Sequence, residues 1–433
     1  MLMLYADIPS KRLQYVVTVL EEIIGHNFRV TRKINELEHH KGPRLSYAAK
    51  APLKDVANII PHGLLREKGI NPHKVEMSEW QGMPVFFQTE GAIPFDIFAA
   101  SFYLLSRYEE YLPFSADEHG RFEAKYSLAY KHNFLHRPLV EEWGLALREF
   151  IKERYPDVRI KPDVYAFEPT INVDKAYAYK HKGVMHNIGE GLKSFFKGDK
   201  AAAKDRLSVL RGNSEDPYDT YDKLHEINSR YGIKPLWFFL LSDPGLFDRN
   251  LSPENPAMRA LITGILKTNK VGLHPSYASN QEPQRLKTEI GRLRSIINVP
   301  VHHSRQHYTC IRMPKTYRML MDQGITNDYS MGYATQPGFR ASISRPFFWY
   351  HLPGETATSL RLHPFCFKDS THRFVLKSTP EQALANAREL AAKVRAVEGC
   401  FSVVFHNESA GGSNEWAGWD SLYEQVLKVG LGK

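Results

Sequence analysis

Three cysteines in 433 residues, with no CxxC pair among them, leave neither a disulfide framework nor a zinc knuckle to build on. Cys310, Cys366 and Cys400 are widely spaced, and buried, reduced thiols are the expectation. Long apolar runs are missing too. Nowhere do 18 or more apolar residues follow one another, which excludes a spanning helix. The opening "MLMLYADIPSKR" is too short in apolar residues for a signal segment and has no basic stretch before it, so a cytoplasmic protein is expected. Internal repeats and low-complexity segments are absent. Charge of one sign is also scarce: 57 Lys and Arg against 48 Asp and Glu give +9, modest for this length. The densest basic stretch, Gly191 to Arg211, reads as an amphipathic helix with a solvated lysine face, and no nucleic-acid partner is expected.

What remains is an ordinary globular composition, 42% hydrophobic and 24% charged, in a chain long for one domain. Two domains are expected, 1–160 and 161–433. The first opens with strand-like "MLMLYADI" and a helix from Lys11 to about Gly25. Its most apolar helix is expected over Asp96–Leu112, started by Pro94 and Asp96 and stopped at Pro113, and a further helix ends at Pro156. From Thr170 a strand-then-helix rhythm sets in. The strands expected are "PTINVD", "PLWFFLLSD", "KVGLHPS", "HSRQHYTCI" (His303–Ile311), "SLRLHPFCF" (Ser359–Phe367) and "CFSVVFHNE", with helical patterns between them. Such alternation argues for parallel βα units, closed into a barrel or left as an open sheet.

The unusual polar residues of this half fall near the ends of expected strands. They are Asn172 and Asp174, which share a face by period-two alternation, then His274, Arg305, His307 and His406. In βα barrels that end of the strands carries the active site. Two imidazoles and a carboxylate make a three-ligand set for zinc or a similar divalent ion. An arginine alongside would orient a carboxylate or stabilise an oxyanion, and a further histidine could protonate a leaving group. The class of reaction is metal-assisted hydrolysis of an amide or ester. Asp243 and Asp248 in "SDPGLFDRN" read as turn residues. His302 and His303 read as loop residues, and Trp416 and Trp419 as packing.

These motifs resemble those of the polysaccharide deacetylases of the NodB-homology type (carbohydrate esterase family four), in a bacterial subgroup with a companion N-terminal domain. The resemblance runs from about Pro169 to the C-terminus. "TINVD" (Thr170–Asp174) stands where the family has T-x-D-x-D, so Asn172 takes the place of the catalytic base and Asp174 that of a metal ligand. "GLHPSYAS" keeps His274 of the second motif but has Ala278 and Ser279 where its second histidine belongs. "RQHY" keeps the arginine of the third motif, Arg305, and has His307 in place of its proline; "VVFH" supplies His406 as the general acid. His307 is expected to replace the lost ligand, with water or Ser276 as the alternative. The resemblance implies a distorted (β/α) barrel after a smaller α/β or α+β domain. It also implies a zinc-type ion and removal of an N- or O-acyl group from a carbohydrate, weakened by Asn172. A non-catalytic carbohydrate-binding relative is the alternative. Arg340, in the Gly- and aromatic-rich "DYSMGYATQPGFRAS", is expected to meet the substrate or to anchor its own loop. The pattern specifies no oligomeric state.

Overall fold

In the computed structural model, which describes residues 1–161, 163–183, 187 and 200–433, the chain opens on a small parallel sheet. Its strands β1 (Leu2–Ala6), β2 (Phe28–Thr31), β3 (Arg44–Tyr47) and β4 (Ala57–Ile59) lie in the order β2-β1-β3-β4. The helix Lys11–Ile24 packs Leu13, Val16, Leu20 and Ile23 into the core. Ser10 caps its start by accepting from the Leu13 amide, and Gly25 ends it in the left-handed region at φ 73°. Only glycine fits there, because a Cβ would lie 2.1 Å from the carbonyl oxygen of Lys161. A hairpin of β5 (Met77–Trp80) and β6 (Met83–Phe86) follows.

The expected long helix from Asp96 is shorter than its apolar pattern. It spans Ile97–Leu105, with Asp96 capping Ala99, and Arg107 then turns left-handed at φ 53° into a 3-10 turn, Tyr108–Tyr111. The Arg107 guanidinium folds back onto Glu110 at 2.7 Å, a buried ion pair that outweighs helix propensity. The next helix is Leu139–Arg154.

The second sheet is built from β7 (Ala166–Val173), β8 (Leu236–Leu240), β9 (Lys270–His274), β10 (His303–Ser304), β11 (Asn327–Asp328), β12 (Phe347–His351), β13 (Thr356–Leu362), β14 (Phe367–Lys368) and β15 (Cys400–His406). Their order is β12-β13-β11-β10-β9-β8-β7-β15-β14, parallel except where β12 runs against β13. The inner strands are apolar on both faces: all five residues of β8 and all seven of β15 are buried, as a parallel sheet covered by helices requires. Helices that cover it include Tyr221–Tyr231, Pro256–Leu266, Pro283–Ile297 and Pro380–Ala396. Among the described residues no strand pairing joins β14 to the other edge, so the sheet is a run of strands rather than a hydrogen-bonded ring.

Two expected strands are cut short. His303–Ile311 pairs only over His303–Ser304, because Tyr308 and Thr309 take φ of 57° and 56°, which no strand tolerates. Ser359–Phe367 divides into the end of β13 and the start of β14. The lysine-bearing helix expected over 191–211 is helical over Lys200–Leu210, and its residues 191–199 lie outside those described. One buried apolar cluster runs from Leu2 to Leu427, so the two sheets share a core. All three cysteines are buried and free.

Candidate metal centre

Parallel pairing brings the C-terminal ends of β7, β9 and β15 to one edge. Asn172 lies beside His406 on one side and Phe238 on the other, and His274 ends β9 beside Leu240. Asp174 follows β7 directly. Arg305 and His307 come from the irregular chain after β10. Its backbone stays beside β9, with the Arg305 amide on the Leu273 carbonyl (3.0 Å) and the His307 amide on the Pro275 carbonyl (3.1 Å). Arg305 and His307 therefore reach one site through a turn, and not through the strand alternation expected of them.

Asp174, His274 and His307 each aim one donor atom at a common point, all within 4.8 Å of one another. The Asp174 carboxylate lies 3.1 Å from His274 Nε2, 3.5 Å from His307 Nε2 and 3.7 Å from His406 Nε2. Hydrogen bonding fixes the His274 tautomer. Its Nδ1 faces the carbonyl of Arg305, which can only accept, so Nδ1 carries the proton and Nε2 is bare. Burial lowers the His274 pKa to about 4, keeping the ring neutral. A bare ring nitrogen thus faces Asp174 Oδ1, which is buried and accepts no hydrogen bond. Nε2 accepts from the Asn172 amide nitrogen at 3.3 Å and lies 3.1 Å from that carboxylate oxygen, and two imidazoles with a carboxylate are donors suited to zinc. Ser276, the other third ligand considered, instead accepts from the Ser279 amide at 3.0 Å.

Two carboxylates that the sequence did not mark complete the surroundings. Asp248 accepts from His307 Nδ1 at 2.8 Å and is itself held by the Tyr277 amide at 2.9 Å. Its carboxylate meets His307 as well as the turn, so the plain turn role read for it in the sequence is incomplete. Histidines that bind metals commonly hand their second nitrogen to such a carboxylate. Burial alone would lower the His307 pKa, but Asp174 and Asp248 outweigh it and push it up to about 9. Asp369 accepts from His406 Nδ1 at 2.6 Å and from the His406 amide at 2.8 Å. Burial opposes the charged His406 ring, and Asp369 with Asp174 reverses that and raises its pKa.

Asn172 is 2% exposed and fully engaged. Its Oδ1 accepts from Arg305 Nη1 at 3.1 Å, which turns its amide nitrogen toward His274 Nε2 at 3.3 Å. Arg305 also donates to Thr170 Oγ1 (2.7 Å) and the Tyr329 carbonyl (2.9 Å), and its charge sits over the Phe238 ring at 4.6 Å. Burial lowers its pKa to about 10.

The trio opens into a cavity of about 720 Å³, also lined by His406, Lys175, Lys368, Tyr308 and Trp416. Trp416 and Trp419 are packed, with Trp416 doubling as cavity wall. His303 stays outside, against Tyr329. Arg340 does not reach the cavity. It is buried and grips Glu110 through Nε at 2.9 Å and Nη2 at 2.6 Å, the loop-anchoring role and not contact with substrate.

Fold and site together define a mixed α/β protein with a parallel sheet, at one edge of which an Asp-His-His set gathers. Residues 1–156 match a family described as Family of unknown function (DUF7033). No curated protein matches. Among solved structures, a provisionally named polysaccharide deacetylase from Mycobacterium smegmatis is 14% identical, with 62% of this chain and 85% of that one covered, at a TM-score of 0.39. A polysaccharide deacetylase from Bacillus cereus is 13% identical, with 48% and 80% covered, at 0.29. A CE4 family pseudoenzyme from Bacillus anthracis is 13% identical, with 62% of each chain covered, at 0.30.

Proposed function

We propose that this chain is a metal-dependent hydrolase that removes an N- or O-acyl group from a carbohydrate. Residues 1–160 would form one domain and 161–433 a barrel-like second; the family match over 1–156 supports that boundary. Asp174, His274 and His307 would hold a divalent ion, for which zinc suits the donors. Such an ion supplies Lewis acidity, polarising an acyl carbonyl and acidifying water. Asp248 orients His307. His406 turns Nε2 toward the site with Asp369 behind it, and its raised pKa favours the form that can give a proton to the leaving group. Arg305 pins Asn172, and Asn172, a neutral amide, cannot accept a proton. Catalysis is accordingly slow. No described helix is long and apolar enough to cross a membrane.

The observation that carries this reading is the convergence of one ligand atom each from Asp174, His274 and His307 within 4.8 Å of one another, with an Asp174 oxygen that is buried and without a hydrogen-bond partner. Elemental analysis of protein purified without added metal tests it. Stoichiometric zinc or a similar ion is expected in the wild type and should be lost from Asp174→Ala and His274→Ala; equal metal in all three proteins would refute it. A non-catalytic carbohydrate-binding role is the second reading, favoured by Asn172.

A further inference from the structure

The region of unknown function puts residues into the cavity. Glu118, His119 and Arg121 line it together with Asp174, His274 and His307. They sit on a tight turn that Asp117 organises. Its Oδ1 accepts from the amides of His119 (2.9 Å) and Arg121 (2.8 Å), its Oδ2 from Arg121 Nε (2.7 Å), and Gly120 turns at φ 72°. With Nε committed to Asp117, the outer end of the Arg121 guanidinium donates from Nη1 to the Tyr308 carbonyl at 2.7 Å.

Tyr308 is the residue after His307, and its backbone is strained. It and Thr309 are consecutive non-glycine residues in the left-handed region, a conformation that persists only when the surroundings impose it. This turn supplies part of those surroundings, beside the rings of Phe247 and Tyr277. Arg121 holds the carbonyl, and the His119 ring lies 5.0 Å from that of Tyr308 within a cluster shared with Phe247 and Tyr277. Asp248 sets the rotation of the His307 ring, while the Tyr308 backbone sets where the ring is delivered.

Building on the metal reading above, we propose that the Asp117–Arg121 turn positions the site. It holds the His307–Thr309 segment in its strained shape, keeps His307 within reach of the ion, and forms one wall of the substrate cavity. The N-terminal region is then part of the active site.

The test uses full-length protein, with Arg121→Ala and, as control, Arg148→Ala. Arg148 also bridges the two regions, through Glu398 at 3.0 Å, but lines no part of this cavity. Two quantities are read: cobalt(II) affinity from its visible absorption, and amide hydrogen exchange over residues 305–311. Arg121→Ala should bind cobalt about tenfold more weakly, as loss of groups behind metal ligands does, and should exchange faster over that segment. Arg148→Ala should match the wild type in both. Unchanged affinity in Arg121→Ala overturns the proposal even if exchange quickens, since the turn would then be mere packing. Equal weakening in Arg148→Ala overturns it as well. Should the alanine variant not fold, Arg121→Lys, which cannot span both Asp117 and Tyr308, faces the same two criteria. A wild type that takes up no cobalt refutes the metal reading itself, a result distinct from those.

Discussion

Replacing Asn172 by aspartate changes one atom and reverses the electrostatics at the base of the site. Arg305 is 2% exposed, its Nη2 has no partner, and among the described residues no carboxylate lies within 4.0 Å of it. The Asn172 oxygen lies 3.1 Å from Nη1, so a carboxylate in its place would face the guanidinium directly. A carboxylate there would turn a hydrogen bond between a charged donor and a neutral acceptor into one charged on both sides, and hydrogen bonds to charged groups are worth about 1.5–3 kcal/mol. Its second oxygen would meet the bare His274 Nε2 now 3.3 Å from the amide, near Asp174. That repulsion cancels part of the gain until a cation is present. Asn172→Asp is therefore expected to stabilise metal-loaded protein by about 1–2 kcal/mol and chelator-treated protein by less. On the proposed function, the same substitution supplies a proton acceptor that Asn172 cannot be, so deacetylation should rise by about 10²–10⁴-fold. Acetate release from acetylated amino-sugar oligomers, with wild type and variant side by side over about pH 6 to 9, measures the rate; urea melts with and without chelator measure the stability. Vigorous wild-type turnover that the aspartate diminishes would refute the reasoning. So would destabilisation of the metal-loaded variant.

Asp369→Asn tests the pairing behind His406. Asp369 is the larger of the two carboxylate influences holding the His406 pKa above its ordinary 6.5, so without it burial prevails and the ring should lose its proton at lower pH. Ring resonances followed by NMR check this, and a midpoint that stays put counts against the pairing. The sign for stability follows: the paired imidazolium contributes fully below pH 6.5 and its contribution fades as pH rises through the elevated folded value. Glu110→Gln removes the charge shared by buried Arg107 and Arg340, at 2.7 and 2.6 Å, and should cost about 3–5 kcal/mol in a urea melt with unchanged slope; a loss below about 1 kcal/mol would mean the pair is replaceable.

Residue spacing by itself determined the parallel βα rhythm and the placing of Asp174, His274 and His406. A strand end is a local feature, written in apolar runs and their breaks, and register then carries each end to the same edge of the sheet. Motif positions also singled out Asn172 and Arg305 before their contact was known. What only the tertiary structure decided were partnerships across sequence. Asp248 looked like a turn residue because its turn is real, yet its carboxylate meets His307 from 59 positions away. Arg340 was open to substrate on paper, and Glu110, 230 positions earlier, closed that option. The strand expected through His307 failed because a left-handed turn held from outside replaced it, and the arginine that holds it lies 187 positions back. Periodicity encodes which face a side chain takes; it carries no record of which distant charge will lie opposite, because that is set by how the two sheets pack around one core.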